Sequence, residues 1–125
     1  MEIPKGHQVV MPYLIIDKGA AAFIDFAKKI FNAELTYSAP REGDTTIMHA
    51  EINIGGCTIM FADATQQWTS QTANLFIYVE DVDKKYQLAL DSGATSVMEP
   101  ADQHYGRACG VKDPFGNVWW MTGIL

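Results

Sequence analysis

Apolar residues recur along this chain with two spacings, one typical of helices and one typical of strands. From Ala20 to Phe31 the apolar positions lie three or four residues apart with charged residues between them, which predicts an amphipathic helix. From Ile47 to Ile54 apolar and polar residues alternate, which predicts a strand with one buried face. Seven other segments are predicted to be strands: Gln8–Ile16, Leu35–Ala39, Cys57–Phe61, Asn74–Val79, Thr95–Met98, Arg107–Lys112 and Val118–Thr122. The segment Glu99–Gly106 is predicted to be a loop.

The same order of elements returns in the second half of the chain. A second helix is predicted at Val82–Ser92, with Asp81 at the position that caps a helix N-terminus. Aligning the turn glycines Gly56 and Gly116 gives an offset of 60 residues. A period close to half the chain length indicates a duplicated module. The sequence therefore predicts an α+β fold of two βαβββ modules, at about residues 8–63 and 73–123 of a single domain spanning 1–125. Their sheets are predicted to curve around a shared cleft.

The last predicted strand follows a turn, Asp113–Asn117, that contains Pro and Gly. Because side chains alternate along a strand, Val118, Trp120 and Thr122 are predicted to share one face, and Trp119 the other. One tryptophan is then expected against a helix, and the second is expected to line the cleft.

Composition and charge narrow the class of partner. The chain has 125 residues, 48% of them hydrophobic, and a formal net charge of −6. Nucleic acids and anionic membranes bind clustered basic residues, so neither is expected as a partner. No apolar run reaches the ~20 residues that span a bilayer, and the first residues are too polar for a signal peptide. The two cysteines, Cys57 and Cys109, are expected to be reduced, buried thiols in a cytoplasmic protein.

Four segments together resemble one protein family. They are PYLIIDKGAAAFIDFAKKIFNAEL, MHAEINIGGCTIMFAD, LFIYVEDVDKKYQLALDSGAT and DPFGNVWW. Their order and spacing resemble the vicinal-oxygen-chelate superfamily, which includes glyoxalase I, bleomycin and fosfomycin resistance proteins and extradiol dioxygenases. The PhnB-like branch is the most similar. The resemblance implies the paired-module fold, and it leaves the activity open because this fold hosts unrelated chemistries.

The catalytic members resemble one another in a divalent-metal site with His or Gln on the first strand of each module and Glu on the last. In this sequence the positions of the two Glu ligands are occupied by Met60 and Trp120. The positions of the His or Gln ligands are occupied by Asn74 in the second module and by either Pro12 or Val10 in the first. None of these side chains is a good ligand for a hard divalent metal. The resemblance thus implies a degenerate metal site. No cofactor is expected, and a divalent metal is disfavoured.

Strand alternation predicts which residues line the cleft. These residues are mostly aromatic or apolar with a few polar groups, which is the usual composition of a small-molecule site. They are Leu14, Ile16, His49, Glu51, Met60, Phe76, Tyr78, Arg107, Cys109, Val118 and Trp120. Aromatic walls favour flat, apolar or cationic ligands.

Several of these residues have both a functional and a structural interpretation. His49 and Glu51 are candidate catalytic residues as an acid–base pair, or else a solvated or hydrogen-bonded structural pair. Arg107 is a candidate for binding a ligand carboxylate or phosphate, or else a structural partner of Glu51. Trp120 either fills the former metal position or offers a stacking surface. Tyr105 lies in the predicted loop, where ligand contacts are common.

The sequence therefore favours a PhnB-like protein that binds a small aromatic or amphipathic molecule in the cleft between the modules. One alternative is a metal-dependent lyase, transferase or dioxygenase with its ligands displaced to His49, Glu51 or Asp63. Another is a non-catalytic dimeric scaffold whose pocket is filled by its own side chains. The resemblance also implies a homodimer, because family members are commonly two-fold dimers and each module has exposed sheet edges.

Overall fold

The structure, a computed structural model that describes residues 1–124, consists of two compact units. Unit 1 covers Met1–Gln71, and unit 2 begins at Thr72. The elements of unit 1 are β1 (Tyr13–Ile16), α1 (Ala20–Phe31), β2 (Glu34–Pro40), β3 (Ile47–Ile54) and β4 (Cys57–Asp63). Those of unit 2 are β5 (Asn74–Tyr78), α2 (Val82–Asp91), β6 (Thr95–Gln103), β7 (Gly106–Lys112) and β8 (Val118–Gly123).

Both units have the same topology. Each is a four-stranded sheet, in the order β1-β4-β3-β2 in unit 1 and β5-β8-β7-β6 in unit 2. The first and last strands of each unit pair in parallel, and the other neighbours are antiparallel. This arrangement confirms the predicted α+β fold of two βαβββ modules. The cleft shared by the two modules stays a prediction.

Two predicted segments differ from the structure by more than two residues. The first strand begins at Tyr13 and not at Gln8, and the preceding residues form no strand. The predicted loop Glu99–Gly106 is wrong, because β6 continues to Gln103 and forms a tight hairpin with β7. Pro100 interrupts the hydrogen-bond register of β6, and β6 is an edge strand, where the missing N–H of proline is tolerated.

The core of unit 1 lies between α1 and one face of its sheet. The ring of Phe23 on α1 contacts Phe61 on β4 edge-on, with the ring centroids 5.0 Å apart. The other fully buried apolar side chains of this core include Leu14, Ile16, Ala27, Ile30, Ala50 and Ile52. Burial of these side chains is the main contribution to the stability of the unit.

Both ends of α1 are stabilised by specific residues. At its C-terminus Asn32 adopts the left-handed conformation, with φ of 56°, as expected of a residue that stops a helix. At its N-terminus the Asp63 carboxylate accepts hydrogen bonds from the backbone N–H groups of Gly19 and Ala20, each 3.0 Å long. Its other oxygen accepts the N–H of Ile47. The carboxylate of β4 thereby joins the helix to the start of β3.

Unit 2 buries Trp119 and Met121 of β8 on the α2 side of its sheet, as the alternation predicted. Asp81 occupies the predicted N-cap position of α2, but its side chain makes no capping hydrogen bond. Its backbone is left-handed, with φ of 52°. The prediction of a side-chain cap at Asp81 is therefore wrong.

The turn before β8 is held by one buried carboxylate, that of Asp113. One of its oxygens accepts the backbone N–H groups of Phe115 and Asn117, both at 2.9 Å. The other accepts the side-chain amide of Asn117 and the indole N–H of Trp119, at 3.1 and 2.8 Å. The side chain of Asn117 in turn accepts the N–H of Ala73. The carboxylate of this turn thus provides the hydrogen-bond acceptor for the indole N–H of the buried Trp119.

Candidate functional site

The face of the unit 2 sheet that lies away from α2 carries a group of aromatic side chains. Phe76 and Tyr78 on β5 are 56% and 64% exposed, and their rings meet edge-on with centroids 5.2 Å apart. Phe76 is paired in register with Trp120 of β8. The predicted grouping of Phe76, Tyr78 and Trp120 on one face is confirmed.

Trp120 is fixed by two contacts on this face. Its indole N–H donates to the side-chain oxygen of Asn74, 3.1 Å away. Its ring lies against Gly110 so closely that a Cβ on that residue would lie 2.6 Å from a ring carbon. Two of the positions that the resemblance assigns to metal ligands are thus hydrogen-bonded to each other. An indole and a carboxamide do not fit a hard divalent metal ion.

The prediction of which β1 residues lie on the face away from α1 is wrong, because the strand alternation is shifted by one residue. Leu14 and Ile16 are fully buried on the α1 side, and neither lines the opposite face. Tyr13 pairs with Met60 as Phe76 pairs with Trp120, so the offset between the two units is 63 in this strand. Met11 therefore corresponds to Asn74, in place of Pro12 or Val10, and its thioether does not restore a hard-metal site either.

The open face of the unit 1 sheet carries a chain of hydrogen-bonded polar side chains. The two oxygens of Glu51 bond to the Nε2 atoms of His7 and His49, at 2.7 and 2.8 Å. The Nδ1 atom of His49 is 2.8 Å from the hydroxyl of Tyr13, and the two rings are stacked. Glu51 and His49 are thus hydrogen-bonded partners, and the sequence reasoning missed Tyr13 and His7 as members of this chain.

The four members come from three parts of the unit. His49 and Glu51 lie two residues apart on β3, so both side chains project from the same face. Tyr13 is on β1, and His7 is on the segment before it. That segment is held to β4 by Gln8, whose side chain bonds to both the carbonyl and the N–H of Thr58.

The carboxyl group of Glu51 is expected to make stability depend on pH. Burial raises its pKa, but the hydrogen bonds from His49 and His7 outweigh burial and leave the pKa below its ordinary value of 4.5. The ionised group therefore stabilises the fold above about pH 4.5, and this contribution is lost as the pH falls through the lower pKa of the folded state.

Urea unfolding of the wild type and Glu51→Gln between pH 3 and pH 7 measures this effect. The stability advantage of the wild type is expected to be largest near neutrality and to shrink below about pH 4.5. Other acidic groups titrate in both proteins and cancel in the difference. A difference that stays constant over the whole range contradicts the prediction.

Arg107 lies on the opposite face from the one predicted. It belongs to the α2 side of the sheet, where it forms a bidentate pair with Asp83 at 2.9 Å and bonds Asp102 at 3.0 Å. These hydrogen bonds raise the pKa of Arg107, and the bond from Arg107 lowers the pKa of Asp83. Arg107 therefore does not share a face with Trp120, and its structural partners are Asp83 and Asp102 and not Glu51.

Cys109 is also displaced from the predicted cleft surface, and Tyr105, predicted in a loop, lies in a turn of unit 2. Cys109 is buried on the α2 side with Met121, and burial raises the pKa of its thiol to about 11. It is a buried, un-ionised thiol, as the structural interpretation expected. Cys57, at the start of β4, is exposed, so the prediction of a buried thiol is wrong for that residue. Tyr105 is half exposed in the tight turn between β6 and β7, with its ring against His104.

Unit 1 contains an open pocket of about 900 Å³. It is lined by Tyr13, Ile15, Arg41, Met48, Ala62, Asp63, Thr65, Gln66, Gln67 and Trp68. Trp68 is 60% exposed, an unusual degree for a tryptophan, and is held in a tight turn by reciprocal hydrogen bonds with Thr65. Trp68 and Arg41 were not among the predicted site residues, because neither lies in a patterned strand or helix.

A second open region of about 590 Å³ lies beside α2 in unit 2. Its acidic lining residues are Glu80, Asp81 and Asp83, and its basic lining residue is the paired Arg107. Within residues 1–124, no group of three or more His, Cys, Asp and Glu side chains is placed to hold a metal ion. In the same range no helix is both long and apolar enough to cross a bilayer.

Solved structures with this architecture define the fold class. The PhnB protein from Bacillus cereus superimposes with a TM-score of 0.74 at 16% sequence identity, covering 93% of this chain and 99% of that chain. The fosfomycin resistance protein FosX from Listeria monocytogenes superimposes with a TM-score of 0.70 at 20% identity, covering 94% of each chain. Both likenesses concern the fold.

The family follows from sequence similarity. The model of the Glyoxalase/Bleomycin resistance protein/Dioxygenase superfamily matches residues 7–121. The uncharacterized protein Mb0911c of Mycobacterium bovis is 36% identical over 120 residues, covering 86% of this chain and 78% of the relative. The chain belongs to the glyoxalase/bleomycin resistance/dioxygenase superfamily, as the resemblance implied.

Proposed function

We propose that this protein binds a small amphipathic molecule with an aromatic part in the pocket of unit 1, and that binding requires no divalent metal. The observation that carries the proposal is the half-exposed pair of aromatic walls, Tyr13 and Trp68, beside the apolar side chains of Ile15 and Met48. A concave site with aromatic walls and a few polar groups is typical of small-molecule recognition. The name of FosX, a fosfomycin resistance protein, is consistent with handling of a small molecule in this superfamily.

Ligand screening by thermal shift, followed by calorimetry, tests this proposal. The screen uses aromatic acids, aromatic amides and aromatic amines, with and without EDTA. Trp68→Ala is expected to weaken the best binder about tenfold or more, because stacking and burial contribute about 1–3 kcal/mol. Tyr105→Ala is a matched control, since it removes an aromatic side chain of similar exposure in unit 2.

Two outcomes would contradict the proposal. The first is that no compound shifts the wild type, and the second is that Trp68→Ala binds the confirmed ligand as well as the wild type does. A binder that is lost after chelation would instead support the metal-dependent alternative. Weakening by Trp120→Ala but not by Trp68→Ala would assign binding to the aromatic face of unit 2.

A specific observation also favours acid–base catalysis as a second candidate function. The hydrogen-bonded order Glu51, His49, Tyr13 ends at a hydroxyl on the pocket wall. A carboxylate that orients a histidine, which in turn bonds a hydroxyl, is an arrangement suited to proton transfer. In this candidate His49 exchanges a proton with the Tyr13 hydroxyl, and that hydroxyl donates to or accepts from a bound carbonyl compound.

Deuterium exchange tests the catalytic candidate without knowledge of the substrate. Carbonyl compounds that bind the pocket are incubated with protein in D₂O and followed by proton NMR. In the wild type, exchange with deuterium is expected to remove the proton signal of the C–H adjacent to the carbonyl. In Tyr13→Phe and His49→Gln this enzyme-dependent exchange is expected to be absent, so the signal persists. Exchange at the uncatalysed rate with every bound compound contradicts this candidate.

Assembly into a homodimer is a further part of the proposal. The strands β1, β2, β5 and β6 are at the edges of their sheets, and the aromatic side chains Phe76 and Tyr78 are exposed. Light scattering at micromolar concentration is expected to give twice the 13.9 kDa mass of one chain. Tyr78→Lys is expected to shift the distribution towards the single-chain mass. A wild type that is monomeric at these concentrations contradicts the prediction.

A further inference from the structure

The pocket of unit 1 contains a positive charge, that of Arg41, with which no carboxylate of residues 1–124 forms an ion pair. Arg41 is half buried at the pocket wall, immediately after β2. Its guanidinium donates to the hydroxyl of Thr46 at 2.8 Å and to the backbone carbonyl of Asp63 at 3.3 Å. Both acceptors are neutral, and within residues 1–124 Arg41 forms no ion pair. The guanidinium keeps further N–H donors beyond these two hydrogen bonds.

The two carboxylates beside Arg41 already accept hydrogen bonds from other groups. Hydrogen bonds from Thr46, together with the charge of Arg41, lower the pKa of the exposed Asp44 carboxyl, which accepts the backbone N–H and the hydroxyl of Thr46. Of the described lining residues, Asp63 is the acidic one. Its two oxygens accept the backbone N–H groups of Gly19, Ala20 and Ile47. Two of these donors form the N-terminus of α1, whose partial positive charge favours a carboxylate. The Asp63 side chain therefore acts as a helix cap, and it leaves the charge of Arg41 available to a ligand.

A second donor lies close to Arg41 in the same wall. Arg41 opposes the effect of burial on the phenol of Tyr13: burial raises the pKa of Tyr13, Arg41 lowers it, and Glu51 raises it again. The guanidinium thus acts electrostatically on the Tyr13 hydroxyl. Arg107, the arginine of unit 2, contrasts with this arrangement because two carboxylates surround its guanidinium.

We propose that the ligand of this pocket carries an anionic oxygen group, a carboxylate, phosphonate or phosphate, and that the guanidinium of Arg41 binds this group directly. The inference rests on the proposed function, because it specifies the chemical class of a ligand bound at the same site. Arginine is suited to this role since its planar fork of donors matches the paired oxygens of such anions. The aromatic part of the ligand then lies against Trp68.

Paired ligands that differ only in charge test the inference. The probes are 2-naphthoate and phenylphosphonate, each compared with its neutral amide or diester by calorimetry at low and high salt. The wild type is expected to bind the anions more tightly, and their affinity is expected to fall as salt rises. Arg41→Gln is expected to weaken anion binding about ten- to a hundredfold, and Arg41→Lys less. Arg107→Gln, the matched control, is expected to bind as the wild type does.

The outcomes separate this inference from the function on which it rests. If the neutral compounds bind as tightly as the anions, or if Arg41→Gln binds the anions normally, the inference is wrong and the proposed pocket stands. If neither kind of compound binds, the proposed function itself is wrong. Circular dichroism of Arg41→Gln, which also loses two hydrogen bonds to the protein, distinguishes lost binding from lost folding.

Discussion

Replacing Asp113 with alanine is expected to lower the free energy of unfolding by about 3–5 kcal/mol, the largest effect of any single substitution outside the apolar core. The substitution removes the acceptor of four hydrogen bonds at once. Two of the donors, the indole of Trp119 and the amide of Asn117, belong to fully buried side chains. A buried donor without a partner costs more than the hydrogen bond itself contributes, because it has also lost its water.

Urea unfolding followed by circular dichroism measures this loss, and Asn53→Ala is the matched control. Asn53 occupies the corresponding turn of unit 1, where its side chain accepts the N–H of Gly56 near the surface. Its removal is expected to cost about 1 kcal/mol. If the two substitutions lower stability equally, then the four bonds to Asp113 contribute no more than an exposed turn does.

The second large effect is expected at Asp63. Asp63→Ala leaves the N–H groups of Gly19, Ala20 and Ile47 without their acceptor and is expected to cost about 2–4 kcal/mol. Asp44→Ala serves as the control, because the carboxylate of Asp44 is exposed and accepts hydrogen bonds from one residue, Thr46. Its loss is expected to lower stability far less than the loss of Asp63 does, because its hydrogen bonds are exposed to solvent.

Thermal unfolding with and without EDTA extends the Asp63 test to the metal-dependent alternative. If Asp63 is a helix cap, chelation leaves the wild type unchanged and Asp63→Ala remains destabilised. A wild type that loses as much stability on chelation as on substitution would instead make Asp63 a metal ligand. The expected result is an effect of the substitution alone.

The helix and strand pattern was sufficient to predict most of the fold. The bounds of α1 and β3 agree with the prediction residue for residue, since both segments have a strict period that packing against one face requires. Gly56 and Gly116 both adopt positive φ, 91° and 101°, so the turn residues that suggested the duplication have the same conformation. The error in β6 arose because Pro100 usually ends a strand and here is accommodated at a sheet edge.

The candidate site was less predictable than the fold. Arg107 and Cys109 were assigned to the wrong face of β7, because the loop before the last strand differs in length by one residue between the two units. Four residues separate the paired Asn53 and Thr58 in unit 1, and five separate Lys112 and Val118 in unit 2. The offset of 60 that holds for β4 and β8 is therefore 59 for β3 and β7. A shift of one residue moves every side chain of a strand to the other face.

The same cause explains the error at Leu14. The apolar run of the first strand has no alternation from which its buried face can be read, so the face was inferred by counting from the helix. Three residues lie between Ile16, the last residue of β1, and the start of α1. The residue of unit 2 that corresponds to Ile16 is Val79, just after β5, and the connection from there to α2 is one residue shorter. Loop lengths of this kind are decided by turn geometry in three dimensions, which a periodic pattern does not record.

The central position of the last strand in each sheet has a consequence for synthesis on the ribosome. β4 lies between β1 and β3, and β8 lies between β5 and β7. In each unit the strand that leaves the ribosome last is therefore a central strand, and the sheet is incomplete without it. Until Val118–Gly123 has emerged, β5 and β7 each expose an unpaired edge and the apolar face of α2 lacks Trp119. Nascent chains stalled before residue 118 are therefore the species most prone to aggregate, whereas the first unit completes while the second is still being made.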